Sequence, residues 1–257
     1  MKLDYRVYDP TGNMTILVES PVAPEAQPAA ARALMALEPA AEQVGFLTET
    51  DRADIALRMA GGEFCGNAAM SAAVCAAERR GMTSGTLTVQ VSGAPAPVRA
   101  EVALQPEGHW RGTVDMPRPE TIEQRVLPGV GQASVVRFPG IAHIVLTEPM
   151  PRPLAERQAR LWCAELGAEA LGLLFFDRGS ERMIPLVYVP AADTLCWETA
   201  CASGTTAVGA YLAADGSPVD VTLRQPGGWL RIEAAADGAL RLTGTVRTGV
   251  GKTAEVP

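Results

Sequence analysis

Two stretches of the chain, GGEFCGNAAMSAAVCAAERRG at 61–81 and WETACASGTTAVGAYLAA at 197–214, share one pattern: a cysteine followed by a dozen residues that are nearly all small. At helical spacing neither run has a polar face, and a helix that is apolar or tiny all round belongs inside a protein. The fold must therefore supply two interiors, one around each run. The chain's 257 residues suffice, since domains of about 100–150 residues each bury a core. Superimposing Cys65 on Cys201 sets Cys-Gly-Asn-Ala against Cys-Ala-Ser-Gly, so the two halves read as copies of one plan.

The first run also carries its own stop signal. Beyond Cys65, charge first appears at Glu78, Arg79 and Arg80, and Gly81 follows. Cations suit the negative end of a helix, and glycine suits the left-handed residue that closes one.

Most of the remaining sequence reads as strands. Residues 2–8 and 15–19 run or alternate apolar around the turn DPTGN at 9–13, a hairpin-like start. AQPAAARALMALEP reads as a short helix with Pro28 in its first turn and Pro39 at its stop. QVGFLTE at 43–49 and ADIALRMA at 53–60 read as strands leading to Cys65, and three more follow between 86 and 117.

In the second half ASVVRFPG and IAHIVLTE read as strands, then PLAERQARLWCAEL at 153–166 as an amphipathic helix with Leu154, Arg157, Gln158, Leu161 and Leu166 defining its faces. LGLLFFD and MIPLVYVP lead through DTLCWET to Cys201, and three strands between 219 and 249 finish the chain. Strands dominate and only four helices stand out, so the predicted class is α+β with mostly antiparallel pairing. Pro117 and Pro119 interrupt the strand pattern and put a domain boundary between Asp115 and Pro119.

Composition narrows the function. A hydrophobic fraction of 47% with 20% charged residues is that of a soluble globular protein, and no apolar run approaches the roughly 20 residues of a membrane span. The start MKLDYRVYDP lacks the apolar core of a secretory signal, which makes the expected location cytoplasmic. A net charge of −7 without any run of Lys or Arg argues against nucleic acid and anionic membranes as partners, leaving small molecules. The five cysteines form no CxxC or CxxxC pair, and His109 and His143 are the only histidines, so no metal site is expected.

Cys65 and Cys201 stand where their helices begin. Unsatisfied N–H groups and the positive end of the helix dipole there favour thiolate, and such positions can bring a cysteine pKa from about 8.5 into the range of roughly 3.5–7.5. The small residues that follow, Gly66 and Asn67 in one run and Ala202, Ser203 and Gly204 in the other, leave amides approachable by a carboxylate or an enolate oxygen. Two thiols, one ionised and one protonated, are what inversion of a stereocentre needs: one removes a proton from one face of a carbon and the other returns one to the opposite face. This scheme requires no cofactor. Cys75 lies ten residues further along the first helix, about 15 Å away at 1.5 Å per residue, and reads with Cys163 and Cys196 as a small buried hydrophobe.

These residues resemble the diaminopimelate epimerase-like family of cofactor-independent amino-acid racemases, over the whole chain. The family's substrate-binding Gly-Asn is matched by Gly12-Asn13, its first catalytic Cys-Gly-Asn by Cys65-Gly66-Asn67, its second motif by Glu198-Thr199-Ala200-Cys201, and its Gly-x-x-His by Gly140 to His143. The resemblance implies two pseudo-symmetric domains, each a curved, mostly antiparallel sheet around a central helix. It places the first at 1–115 plus 247–257 and the second at 116–246, with substrate between them. It implies catalytic roles for Cys65 and Cys201 and substrate contacts for Asn13, His143 and Glu198.

The match departs from diaminopimelate epimerase in two places: no Arg stands between Arg182 and Cys201, where that enzyme carries the Arg for its substrate's distal carboxylate, and LRMAGGEF replaces the usual aromatic-Asn-Ala-Asp-Gly before the first cysteine. AEQVGFL at 41–47 and GGEFCGNA are instead similar to the histidine-racemase branch, whose members supply D-histidine for opine-type metallophores. That likeness implies a site role for Glu42, an acidic group suited to an imidazole or a cationic side chain. Racemisation of another polar or basic amino acid, diaminopimelate epimerisation, and a proton shift within an unsaturated acid on the same fold are the alternatives, as is a binder without turnover. The expected partner is a small amino acid, and a homodimer is left open.

Overall fold

The structure, a computed structural model describing residues 1–256, opens with strand β1 (Lys2–Pro10), which returns antiparallel as β2 (Thr15–Val18) with Tyr5 opposite Val18 and Tyr8 opposite Thr15. This hairpin belongs to the first of two compact units, Met1–Asp115 with the segment from Thr243 onward; the second unit is Met116–Leu242. Helix α1 (Gln27–Leu37) follows, then β3 (Gln43–Thr48), β4 (Ile55–Met59), helix α2 (Gly66–Arg79), β5 (Ser84–Val91), β6 (Val98–Leu104) and β7 (Trp110–Met116). The chain's final strand (Leu240–Glu255) sits between β7 and β1, pairing antiparallel with β1, so these eight strands close into a ring.

Two pairs in the ring are parallel, β2 with β3 and β4 with β5. A parallel pair cannot be joined by a tight turn and needs a crossover; α1 and α2 are those crossovers. They run on opposite sides of the ring for reasons of size. Gly66 through Ala77 of α2 are all buried, and the helix packs against β1, β2, β4, β5 and β6. Its small side chains let the strands approach, and Gly112 on β7 leaves room for Met70, whose Cβ lies 3.2 Å from where a glycine-replacing Cβ would stand. Helix α1 instead covers the outside, where Ala30, Ala31 and Leu34 meet Leu3, Tyr5, Ile16, Val18, Val44 and Phe46. Strand β2 is thereby buried on both faces, with alternate residues on opposite sides.

The second unit contains β8 (Thr121–Leu127), β9 (Gly131–Phe138), β10 (Ile141–Leu146), helix α3 (Arg152–Glu165), β11 (Leu171–Asp177), β12 (Arg182–Val189), β13 (Thr194–Trp197), helix α4 (Ala202–Leu212), β14 (Val219–Gln225), β15 (Gly228–Ala234) and the first residues of the final strand, β16. The strand order is β8-β9-β10-β11-β12-β14-β15, with β13 added on β12. Here too two pairs are parallel, β10 with β11 and β12 with β14, spanned by α3 and by β13 with α4. Helix α4 is buried from Gly204 to Ala210. It lies so close to β15 that a Cβ on Gly209 would stand 2.5 Å from Ile232 Cγ1.

The class is thus mixed α+β with four α-helices among the described residues. No helix among them is long and apolar enough to cross a membrane.

Three details differ from the sequence expectation. Strand β8 has no apolar alternation and was not expected; among the described residues it is an edge strand, paired with β9, and its Glu123 and Arg125 are charged residues of the kind that edges carry to avoid pairing with other chains. The buried face of α3 is Ala155, Ala159, Trp162 and Cys163, while Leu161 is 63% exposed. The two alanines let the helix sit close against β11 and β12, and Trp162 supplies the bulk. The segment from the C-terminus joins the first unit from Thr243, within the same strand that contains residue 247.

Candidate functional site

Cys65 is the N-cap residue of α2. Its backbone is extended, φ −132° and ψ 114°, and its Sγ accepts the Ala68 N–H at 3.4 Å. The thiol takes the place that a Ser or Asp oxygen usually holds over the orphan amides of a first turn. Its own S–H donates to Gln43 Oε1 at 3.2 Å. Gln43 Nε2 donates in turn to Asn13 Oδ1 at 2.6 Å and to Thr15 Oγ1 at 2.8 Å. Asn13 Oδ1 also accepts Asn67 Nδ2 at 3.1 Å, and Asn13 Nδ2 donates to Glu42 Oε2 at 2.5 Å.

Local structure explains how Asn13 comes to the centre of this network. Thr11 and Gly12 have positive φ, 57° and 91°, and Asn13 N–H bonds Pro10 O at 3.2 Å, the pattern of a primed hairpin turn. Threonine is disfavoured at positive φ; here its Oγ1 is held by Thr245, accepting that residue's N–H at 3.1 Å. The parallel register of β2 and β3 sets Thr15 beside Gln43, and Glu42 N–H bonds Met14 O at 2.8 Å. The turn and the register together bring residues 13, 42 and 43 to the mouth of α2.

Cys201 caps α4 in the same way, with φ −112°, ψ 109° and its Sγ accepting Gly204 N–H at 3.3 Å. Gly204 is needed for this approach, because a Cβ there would lie 2.7 Å from Leu174 Cδ2 and 3.2 Å from the sulfur. Ser203 Oγ lies 3.5 Å from Sγ. The Cys201 N–H donates to Gln225 Oε1 at 2.8 Å, Gln225 Nε2 donates to Thr205 Oγ1 at 2.8 Å, and that hydroxyl donates to Cys201 O at 2.7 Å.

The two thiols have unlike surroundings. Cys65 is half-buried and its hydrogen-bond acceptor is a neutral amide. Cys201 is buried, and its pKa is raised well above 9.0 by that burial, by the Glu198 charge and by the thiol's hydrogen bond to Glu198; Ser203 and the Gly204 N–H oppose the rise. At neutral pH Cys201 is therefore a thiol.

His143 on β10 is wholly buried, and neither ring nitrogen has a hydrogen-bond partner among the described residues. Burial lowers its pKa from 6.5 to about 3, so the imidazole is neutral. The ring lies over its β11 partner Gly172, where any Cβ would collide with Nδ1, and meets Phe138 edge-on at 6.1 Å.

Of the residues singled out in the sequence, Asn13, Glu42, Cys65 and Asn67 are brought into one network, with Gly66 buried as the first residue of α2. Glu198, Ala202, Ser203 and Gly204 gather at Cys201. His143 makes no hydrogen bond to either group. Gln43 and Gln225 were not anticipated. Each is a polar residue at a strand end, and the only sequence signals were that Gln43 follows Glu42 and that Gln225 precedes a Pro-Gly-Gly turn. No cluster of three or more His, Cys, Asp or Glu suited to a metal ion occurs among the described residues.

Residues 2–255 match the family described as Histidine racemase CntK N-terminal domain. The chain is similar to a histidine racemase of Fusobacterium nucleatum subsp. nucleatum, 29% identical over 237 residues that cover 89% of this chain and 88% of the relative. It is similar to another from Staphylococcus aureus, 30% identical over 247 residues, with 88% and 86% covered. In fold it is similar to a predicted epimerase from Pseudomonas aeruginosa, with a TM-score of 0.75 at 18% identity over the full length of both chains. A hydroxyproline epimerase from Agrobacterium vitis, solved with trans-4-hydroxy-L-proline bound, gives a TM-score of 0.71 at 13% identity, covering 98% of this chain and 92% of that one.

Proposed function

The chain belongs to the histidine racemase family, matched over residues 2–255, and on that premise we propose that it interconverts L- and D-histidine without a cofactor, using Cys65 and Cys201 as the two acid/base groups. It is an isomerase of the racemase and epimerase type. Two thiol-capped helices of small residues, one per unit, carry the mechanistic reading: each sulfur accepts the amide three residues on, at 3.4 Å and 3.3 Å. The matching placement of the parallel crossovers in the two units supports the finer description of the fold as two pseudo-symmetric halves.

In one direction ionised Cys65 takes the α-proton and Cys201 returns a proton to the other face; in the reverse direction the roles exchange. The raised pKa of Cys201 keeps it protonated for the first of these tasks. The amides of Gly66 and Asn67, and of Ala202, Ser203 and Gly204, are suited to the substrate carboxylate as it gains enolate character. Glu42, oriented by Asn13, is the group suited to receive the imidazole, and Glu198 completes the binding set, while the wholly buried His143 is a packing residue.

The experiment is a screen of the twenty L-amino acids for α-deuterium uptake in heavy water, followed by chiral chromatography. Histidine is expected to exchange and invert, and Cys65→Ser and Cys201→Ser are each expected to abolish inversion. Exchange of a different amino acid would displace the substrate, and near-normal turnover in either variant would displace the two-thiol mechanism.

A further inference from the structure

We infer that Gln225 is a positioning residue for the reaction, clamping the Cys201 backbone so that its sulfur keeps one aim; this rests on Cys201 being one of the two bases. Gln225 is the last residue of β14 and is buried, 8% exposed. Its side-chain amide bridges two points of the α4 cap. Oε1 accepts the N–H of Cys201 at 2.8 Å, and Nε2 donates to Thr205 Oγ1 at 2.8 Å, whose hydroxyl donates to the Cys201 carbonyl at 2.7 Å. That carbonyl also accepts the Thr205 N–H at 3.0 Å, the first bond of the helix. Both backbone polar groups of Cys201 are thus tied into one closed ring with Gln225 and Thr205.

The same turn holds the approach to the cap. Gln225 begins the Gln-Pro-Gly-Gly turn into β15, and Gly227 N–H bonds Thr199 O at 2.8 Å. The end of β14 and the turn after it therefore fix the chain on both sides of Ala200. An N-cap residue lies outside the helix and its φ and ψ are not set by helical hydrogen bonds, so an outside clamp decides where its side chain points. A thiol that must meet an α-carbon in line needs that control, since a displacement of about 1 Å can cost roughly 10²-fold in rate.

The variant Gln225→Met keeps the length of the side chain and removes both hydrogen bonds, while Gln225→Glu keeps an acceptor for the Cys201 N–H. The first is expected to lower kcat by about 10–100-fold with little change in KM, and the second, which cannot donate to Thr205 Oγ1 and brings a buried charge to Cys201, to recover none of the loss at neutral pH. A merely structural role would slow both halves of the reaction together. The discriminating readout is the primary isotope effect with α-deuterated L- and D-histidine measured separately.

When only the Cys201 step is slowed, the isotope effect grows for the enantiomer whose α-hydrogen Cys201 removes and shrinks toward unity for the other. Equal changes for both enantiomers, or unaltered kcat in Gln225→Met, would overturn the assignment. Should Gln225→Met fail to fold, Thr205→Val breaks the same ring, and it must show the same one-sided change or the assignment is wrong. Cys201→Ser serves as the control that separates two failures: if it retains turnover, the two-thiol mechanism is at fault and not the role of Gln225.

Discussion

Burying His143 without a partner makes the stability of the second unit depend on pH in a calculable way. Its pKa falls from 6.5 to about 3 because of burial. Between those values the unfolded chain carries a proton on this imidazole that the folded unit does not. The group's full contribution is therefore present above 6.5 and is lost as pH falls toward 3, with a slope of about 1.4 kcal/mol per pH unit and a total of about 5 kcal/mol. Carboxylates also weaken the fold in acid, so the measurement must be a difference. His143→Leu keeps an apolar side chain between Gly172 and Phe138 and cannot titrate. Urea unfolding of both proteins, followed by tryptophan fluorescence, should give a stability difference that changes against the wild type by about 2 kcal/mol between about pH 6.5 and 4.5. Parallel pH curves for the two proteins would refute the argument, because they would mean that the folded unit protonates this ring as readily as the unfolded chain does.

Three further outcomes follow from named contacts. Iodoacetamide labelling of Cys201, mapped by mass spectrometry, should begin only at alkaline pH, and Glu198→Gln should move its onset downward, because it removes the charge that opposes ionisation; an unmoved onset would exclude Glu198 as a cause. Gln43→Leu leaves Asn13 Oδ1 and Thr15 Oγ1 without their Gln43 donor and the Cys65 thiol without its acceptor, so unfolding free energy should drop by about 1–3 kcal/mol and racemisation should fall with it. Gly209→Ala drives a methyl to 2.5 Å from Ile232 Cγ1 and should destabilise the second unit by about 1–3 kcal/mol, read as a lower thermal midpoint.

Much of the fold was legible because its strongest signals are local. The runs after Cys65 and Cys201 could only be interior helices, and period-two alternation located most strands. Failures came where burial is carried by small residues or where a strand has none. Helix α3 buries Ala155 and Ala159 while exposing Leu161, so side-chain hydrophobicity alone misplaced its face. Strand β8 exists through its ladder with β9 and not through an apolar face. The site divides the same way. Cys65, Asn67, Cys201 and Gly204 are visible as parts of two motifs, each contained in one stretch. Gln43 and Gln225 are not, because what makes each of them matter is a strand register, Thr15 against Gln43, or the return of β14 to the α4 cap, and neither is written in any single stretch.

The unlike surroundings of the two like caps have a chemical logic on the proposed mechanism. The α-hydrogen of an amino acid is a very weak acid, so the harder half of racemisation is its removal, and a thiolate of higher pKa is the stronger base for it. Burial and Glu198 make Cys201 hard to ionise, yet once it has given its proton away it is eager to recover one. The return of a proton to an enolate-like carbon makes no comparable demand, since even a thiol of raised pKa is far more acidic than that carbon. Raising the pKa of one cysteine therefore strengthens the step in which it acts as base, costs little in the step in which it acts as acid, and limits the fraction of enzyme ready to start from that side. The two directions of one reaction then begin from different populations of the resting enzyme, although the helices that present the thiols are built alike.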